Sequence, residues 1–292
     1  MKKIGIVTDS HSSITQKQAG ELGITVLPMP FYINGACYYE DVSLTREEFF
    51  RQLSSGADIT TSQPSPAEVM DCWNNALMQY EQILYIPISS GLSGSCATAL
   101  ALSQEDAYLN RVFVVDNGRV STPLACTVLD ALELIEKGLT APEIKSLLEK
   151  YRDKMVIYIG VDTLEHLKKG GRITPAAAAI GSVLNIKPVL KFDVGTLEPY
   201  KKCRGFQKAK KTMLEAMQND LSTRFRSWYE SGDLYLLAAS SASEEATQDW
   251  IAEIKAFFPD MEVLAGDLSL GVSAHIGYGG LGIGCSCKPR IN

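Results

Sequence analysis

The sequence predicts an α/β protein of two domains, and three observations lead to this prediction. The chain has 292 residues, close to the ~250 to 300 residues at which a single core stops growing. Its first half alternates short apolar runs with helical patterns, and this rhythm changes near residue 155. The runs are apolar throughout, as expected for strands of a parallel sheet covered by helices on both faces.

In the first half, strands and helices are expected to follow one another regularly. The predicted strands are residues 3–10, 24–33, 82–89 and 111–117. The predicted helices are residues 14–22, 45–53, 66–80, 93–106, 121–137 and 141–151. We therefore expect residues 1–155 to form an α/β domain around an open parallel sheet.

Residues 156–292 are expected to form a second, α+β domain. The predicted strands are residues 154–162, 233–240, 262–269 and a pair within 187–204 that turns at Asp193-Val194-Gly195-Thr196, a hairpin-type turn. The predicted helices are residues 163–169, 205–219 and 243–257, and a glycine-rich segment closes the chain. The small and aliphatic residues 174–186 would either leave room for an apolar chain or allow close helix packing.

Composition excludes several classes of protein. The 34 acidic and 28 basic residues give a net charge of −6, which argues against a nucleic-acid partner. Seven cysteines without a CxxC pair predict neither a disulfide framework nor a metal site. The apolar run after Met-Lys-Lys is too short for a signal peptide, and no run approaches a membrane span, so a cytoplasmic location without membrane insertion is expected.

The segment Ser89-Ser90-Gly91-Leu92-Ser93-Gly94-Ser95 follows the third predicted strand and precedes a helix. Unpaired amides and the positive dipole end make such a helix N-terminus suited to an anion. One helix cap needs only one serine, so the four serines favour an anion site here. The GxxxxGK[ST] spacing of a P-loop is absent, which excludes that type of nucleotide site.

Three further segments carry candidate site residues. Thr61 and Ser62 precede a proline turn, so their hydroxyls should project from a loop. Arg172 follows two glycines and could bind a carboxylate or phosphate through its planar fork. His275 opens the segment AHIGYGGLGIG, whose GxGxxG lies too near the end of the chain for a dinucleotide fold. A hydrolase function that uses Ser93 and His275 stays an alternative, because the residues of a catalytic triad come together in the folded structure and not in the sequence.

Together these segments resemble the DegV family of bacterial fatty-acid-binding proteins, which includes the binding subunits of fatty acid kinase. The matching motifs, in order along the whole chain, are TDS (8–10), TSQPSP (61–66), SSGLSGS (89–95), LKKGGRI (167–173), IKPVLKF (186–192) and HIGYGGLGIG (275–284). The resemblance implies a two-domain DegV-like fold that holds one long-chain fatty acid between the domains. It implies a lipid-binding protein without catalytic residues, metal or cofactor.

The resemblance also implies roles for individual residues. Ser62 and Ser93, with Thr61 close by, would bind the fatty-acid carboxylate, while Arg172 and His275 would lie near the head group and present it to a fatty acid kinase. The alternative function is a serine-dependent hydrolase or acyltransferase that uses Ser93 and His275. One difference stands out: Tyr278 and Gly280 replace a proline and an alanine that are common in the last motif of the family, which leaves service to a kinase open.

Overall fold

The computed structural model describes residues 2–175, 186–195 and 197–291. The small-residue segment predicted at 174–186 therefore lies almost entirely outside the described residues. Within them, the predicted fold class is confirmed: an N-terminal parallel sheet flanked by helices is followed by a C-terminal sheet with helices.

The first sheet is parallel and has the strand order β2-β1-β6-β7. Its strands are β1 (Lys2–Asp9), β2 (Thr25–Leu27), β6 (Tyr80–Ile86) and β7 (Val112–Val114). The helices of this half are α1 (Gln16–Leu22), α2 (Arg46–Ser54), α3 (Pro66–Leu77), α4 (Ser95–Leu102), α5 (Ser121–Glu136) and α6 (Ala141–Lys150). Side-chain caps at Thr15, Thr45 and Ser65 begin three of these helices, since each satisfies an amide that the helix leaves unpaired.

A small antiparallel sheet of order β4-β3-β5 corrects the sequence prediction. Its strands are β3 (Pro30–Ile33), β4 (Ala36–Tyr39) and β5 (Ile59–Thr61). The single strand predicted at 24–33 is two strands in two sheets, because the chain turns at Pro28 and Met29. Strands β4 and β5 were not predicted. They are only four and three residues long, too short to show a hydrophobic period.

The third sheet is mixed, with the order β10-β9-β8-β13-β11-β12. Its strands are β8 (Met155–Gly160), β9 (Ile186–Phe192), β10 (Glu198–Arg204), β11 (Leu234–Ser240), β12 (Val263–Asp267) and β13 (Leu281–Cys287). The helices are α7 (Glu165–Gly170), α8 (Phe206–Ser222), α9 (Arg226–Ser231), α10 (Glu244–Phe257) and α11 (Leu270–Ile276). The domain division at residue 155 stays a prediction.

The C-terminal segment differs from the glycine-rich close that the sequence suggested. Residues Leu270–Ile276 form a helix, and Leu281–Cys287 form a fully buried strand in the interior of the sheet. Gly282 and Gly284 within this strand face neighbouring backbone, and a Cβ added at Gly284 would lie 2.9 Å from the carbonyl oxygen of Val156. Glycine is therefore needed there for close strand packing. The short helix α9 was also not predicted.

A buried arginine joins the two halves of the chain. Arg119, before helix α5, donates to Ser286 Oγ of strand β13 at 2.8 Å and to the carbonyl oxygen of Tyr151 at 3.0 Å. Its guanidinium also donates to Thr127 Oγ1 at 3.1 Å. Because a buried polar group without partners is costly, this arrangement fixes the N-terminal half against the six-stranded sheet.

Candidate functional site

A cavity of about 280 Å³ lies between the parallel sheet and the six-stranded sheet. This volume is near the lower end of the ~300 to 1,000 Å³ usual for ligand sites. Its interior wall is mainly apolar, formed by Ile88, Leu92, Val120, Ile157, Ile159, Leu167, Phe192, Leu197, Ala239, Leu268, Val272, Ile276 and Ile283. Both halves of the chain thus contribute to one apolar space.

All five candidate residues from the sequence line this cavity. Thr61 ends strand β5 and Ser62 follows it, while Ser93 lies two residues before helix α4. Arg172 follows helix α7, and His275 lies in the last turn of helix α11. Polar side chains from four separate segments therefore meet beside the apolar wall.

His275 is held by a hydroxyl and by a glycine. Its Nε2 lies 2.9 Å from Thr61 Oγ1, and its ring packs against Gly170, where an added Cβ would overlap the Nδ1 atom. Burial lowers the pKa of His275 to about 4, with smaller contributions from the charges of Arg172 and His166. The imidazole is therefore uncharged at neutral pH and can donate or accept a hydrogen bond.

Arg172 connects the glycine turn to the serine loop. Its Nε donates to the carbonyl oxygen of Leu92 at 3.2 Å, and its Nη1 donates to the carbonyl oxygen of Gly170. The guanidinium thus holds together two loops that border the cavity. Its positive charge lies where it can attract an anion, because an arginine fork suits a carboxylate or phosphate.

The serine loop offers fewer hydroxyls to the cavity than its sequence suggested. Ser93 lines the cavity, and its Oγ accepts from the Ser95 amide at 3.2 Å, which leaves its hydroxyl hydrogen for a ligand. The Ser89 hydroxyl instead accepts from the Gly91 amide at 3.1 Å, and Ser90 donates to Asp116 Oδ2 at 2.6 Å. Of the four serines only Ser93 lines the cavity, because Ser89 and Ser90 stabilise the loop and the buried Ser95 is not among the lining residues.

Ser62 is the most exposed of the candidate hydroxyls. Its Oγ donates to the carbonyl oxygen of Gln63 at 3.0 Å, and its amide donates to the carbonyl oxygen of Pro30 at 3.2 Å. The second bond fixes the loop next to strand β3. The Ser62 hydroxyl would have to exchange its present acceptor for a ligand oxygen.

A second cavity of about 370 Å³ borders the same polar residues. Thr61, Arg172 and His275 line both cavities, while Glu165, His166 and Lys169 line only the second. The three shared residues therefore stand between the apolar cavity and a charged one.

The contact that a serine hydrolase requires is absent from the described part of the chain. His275 Nε2 is bonded to Thr61, and Ser93 Oγ is bonded to the Ser95 amide. A catalytic triad needs its base within hydrogen-bond reach of the nucleophile and a third group that orients the base. The geometry gives the hydrolase alternative no support.

Sequence reasoning missed His11 as a cavity residue. It comes directly after the TDS motif at the end of strand β1 and lines the apolar cavity together with Ser121 and Thr122. The available signal was its position at the carboxyl end of a parallel strand, where open α/β sheets bind ligands.

The two unusual residues of the last motif have local structural explanations. Tyr278 is exposed, and its ring makes an edge contact with Phe50 at 5.2 Å between centroids. Gly280 donates its amide to Ser241 Oγ at 3.0 Å. A Cβ at this position would lie 2.9 Å from that oxygen and 2.5 Å from Ile276 Cγ2, so alanine does not fit beside Ser241.

The fold and the cavity define a three-sheet α/β protein with a mainly apolar cavity that is bordered by polar side chains. The DegV family profile, described as one of uncharacterised proteins, matches residues 3–288. The chain belongs to the DegV family.

Relatives match along nearly the whole chain. A DegV domain-containing protein of Deinococcus radiodurans is 33% identical over 285 residues, covering 96% of this chain and 97% of that protein. Protein DegV of Bacillus subtilis is 29% identical over 286 residues, covering 97% and 99% respectively.

Two solved structures are close in fold. A DegV family protein from Thermus thermophilus has a TM-score of 0.85 and 32% identity, covering 98% of this chain and 99% of that chain. DegV from Bacillus subtilis has a TM-score of 0.83 and 28% identity, covering 99% and 100%. Both are described as binding fatty acids.

Proposed function

We propose that the protein binds one long-chain fatty acid without a covalent bond and presents it to a separate fatty acid kinase. The observation that carries the proposal is the cavity that is apolar over most of its wall and bordered by Thr61, Ser62, Ser93, Arg172 and His275. Two DegV structures similar to this chain are fatty-acid-binding proteins, which supports the choice of ligand.

The two parts of the ligand would be held by different forces. Burial of an acyl chain stabilises the complex by ~0.8 kcal/mol per CH₂. The carboxylate would accept hydrogen bonds from the Thr61, Ser62 and Ser93 hydroxyls beside the Arg172 charge. Hydrogen bonds to a charged group contribute ~1.5 to 3 kcal/mol, so the tail supplies most of the affinity and the head group fixes its orientation.

Presentation to a kinase is supported by the residues that the two cavities share. Thr61, Arg172 and His275 line both the apolar cavity and the charged cavity beside it. A carboxylate at these residues would be accessible from the second cavity while its tail stays buried. Among the described helices, none is long and apolar enough to cross a membrane. A cytoplasmic location is part of this proposal.

Lipid analysis and titration test the proposal. Mass spectrometry of the lipid extracted from purified protein should find about one long-chain fatty acid per chain. Delipidated protein should then bind hexadecanoic acid more tightly than its methyl ester, which keeps the tail and removes the charge. Equal affinity for acid and ester would contradict the assigned head-group site, and absence of binding to both would contradict the function. Addition of a fatty acid kinase catalytic subunit and ATP should yield acyl phosphate only when this protein is present.

A further inference from the structure

The apolar cavity contains a second polar region, which the proposed function does not use. His11, Ser121 and Thr122 line the cavity, and all three are at least 90% buried. They come from the end of strand β1 and the start of helix α5. Polar side chains in an apolar cavity are costly unless they have partners, so this region points to a polar ligand group.

His11 lines this space, and one of its ring nitrogens has no hydrogen-bond partner among the described residues. Its Nδ1 lies 2.9 Å from Ser269 Oγ, and within the described ranges no hydrogen bond reaches its Nε2. Ser269 Oγ already accepts from the Val272 amide at 3.4 Å as the cap of helix α11. We assign the hydroxyl hydrogen of Ser269 to the bond with Nδ1, which leaves the ring hydrogen on Nε2 as a donor.

Helix α5 adds two hydroxyl groups, those of Ser121 and Thr122. It is sixteen residues long, and Val120 at its N-cap supplies no side-chain hydrogen bond. Ser121 has φ +58°, a left-handed conformation that is uncommon for residues other than glycine, and its Oγ lies 3.0 Å from Ser13 Oγ. The Thr122 hydroxyl has no hydrogen-bond partner among the residues that the structure describes.

The position of His11 relates this region to the head-group residues. Its ring packs on Gly271, where an added Cβ would overlap the imidazole. Gly271 precedes His275 by four residues on helix α11, so the residue on which His11 packs lies ~6 Å from His275 along the helix axis. A ligand whose carboxylate lies near His275 would pass His11 within its first few carbons.

We infer that the preferred ligand is a fatty acid that carries a second, uncharged oxygen, a hydroxyl or keto group, a few carbons from its carboxylate. The oxygen would accept from His11 Nε2, and a hydroxyl would also reach Thr122. Burial lowers the pKa of His11 to about 3, with a further contribution from His275. The ring is therefore uncharged at neutral pH and suits a neutral oxygen better than a second carboxylate. This inference rests on the proposed fatty-acid function.

A comparison of acids with one chain length tests the inference. Delipidated wild-type protein is titrated with hexadecanoic acid and with hydroxyhexadecanoic acids that carry the hydroxyl on carbon 3, carbon 5 or carbon 16. We expect the 3-hydroxy or 5-hydroxy acid to bind roughly fivefold more tightly than hexadecanoic acid. One added hydrogen bond of ~1 kcal/mol changes the affinity by this factor. The 16-hydroxy acid should show no such gain.

Variants then locate the source of the preference. Thr122→Val keeps the shape and removes the hydroxyl, and His11→Phe keeps a ring against Gly271. Each should reduce the ratio of the affinity for the hydroxy acid to that for hexadecanoic acid, both measured on the same variant. Thr25→Val, the same change on strand β2 away from the cavity, should leave the preference intact. If His11→Phe does not fold, Thr122→Val alone shows whether the preference for the hydroxy acid comes from this region.

Two outcomes would overturn the inference in distinguishable ways. Tight binding of hexadecanoic acid without a gain for any hydroxy acid, or a gain that both variants retain, would overturn this inference alone. Failure of the wild type to bind any of the acids would overturn it together with the proposed function.

Discussion

The hydroxyl of Thr61 lies 2.9 Å from Nε2 of His275, and this contact joins strand β5 to helix α11 across 214 residues of sequence. Both residues line the apolar cavity and the charged cavity beside it. The contact therefore lies at the point where the proposed carboxylate would be both bound and accessible.

Removal of His275 should separate a carrier from an enzyme. We expect His275→Ala to fold and to bind or present fatty acid less well, because it removes a hydrogen-bonding group beside the carboxylate. Thr61→Val should have a smaller effect in the same direction, since it keeps the side-chain shape. Wild-type protein should show no esterase activity and no reaction of Ser93 with a fluorophosphonate probe. Labelling of Ser93 that disappears in His275→Ala would establish the hydrolase alternative instead.

The candidate serines should differ from their neighbours in the same loops. We expect Ser62→Ala and Ser93→Ala each to weaken fatty-acid binding by about 1.5 to 3 kcal/mol, the range for hydrogen bonds to a charged group. Ser90→Ala is the matched control, because Ser90 donates to Asp116 and does not line the cavity. Titration with a fluorescent fatty acid measures all three. Unchanged affinity in the Ser62/Ser93 double variant would show that these hydroxyls do not bind the carboxylate.

Arg172 should matter more for transfer than for retention of the lipid. Most of the affinity comes from tail burial, so Arg172→Ala should retain lipid through purification and fail in a reconstituted acyl-phosphate assay. Arg172→Lys keeps the charge but loses the planar fork that bonds Leu92 and Gly170, and should be intermediate. Loss of lipid in proportion to loss of turnover would assign Arg172 to binding rather than presentation.

Gly170 should be coupled to His275. A Cβ at Gly170 would overlap the imidazole, so Gly170→Ala should displace the ring and lower fatty-acid affinity about as much as His275→Ala does. In the Gly170→Ala/His275→Ala double variant, the methyl group at position 170 occupies the space that the imidazole has left. The two losses of fatty-acid affinity should therefore not add. Gly20→Ala is the control, because nothing lies within 4 Å of a Cβ there. Fully additive effects would show that the packing of Gly170 on His275 has no role in binding.

The pH dependence of stability should change in Asp130→Asn. Burial raises the pKa of Asp130 from 3.8 to about 7, against the opposing charge of Arg119. The folded state therefore keeps a proton between about pH 4 and 7 that the unfolded state releases, and the free energy of unfolding falls as pH rises through this window. Asparagine at position 130 cannot ionise. Its carbonyl oxygen can still accept a hydrogen bond from the Tyr235 hydroxyl, which lies 3.1 Å from Asp130 Oδ1 in the wild type.

Urea denaturation of the wild type and of Asp130→Asn at intervals from pH 4.5 to 8 measures this effect. The quantity compared is the difference between their free energies of unfolding at each pH. Relative to the wild type, Asp130→Asn should become progressively more stable as pH rises to about 7. Asp9 and Glu40, whose pKa values burial also raises to about 7, contribute equally to both proteins and cancel. Parallel stability curves would show that Asp130 is not protonated in the folded protein.

The sequence alone determined the fold class, the family and the five residues that border the cavity. Continuous apolar strands identify a parallel sheet because both of its faces are buried. Thr61, Ser62, Ser93, Arg172 and His275 could be found from local motifs, since hydroxyls, glycine turns and proline are recognisable within a few residues. These features depend on short-range chemistry, which a single stretch of sequence contains.

The tertiary structure alone decided which of these residues act together and through which contacts. The sequence of strand β13 gives no clear strand signal, because it contains glycines that allow close packing on neighbouring backbone. Strands β4 and β5 are too short to show a hydrophobic period. The packing of His275 on Gly170 and the position of His11 on Gly271 join segments more than one hundred residues apart. Such contacts depend on the shape of the folded chain. In each, a glycine without a side chain leaves space that the ring of a histidine distant in sequence fills.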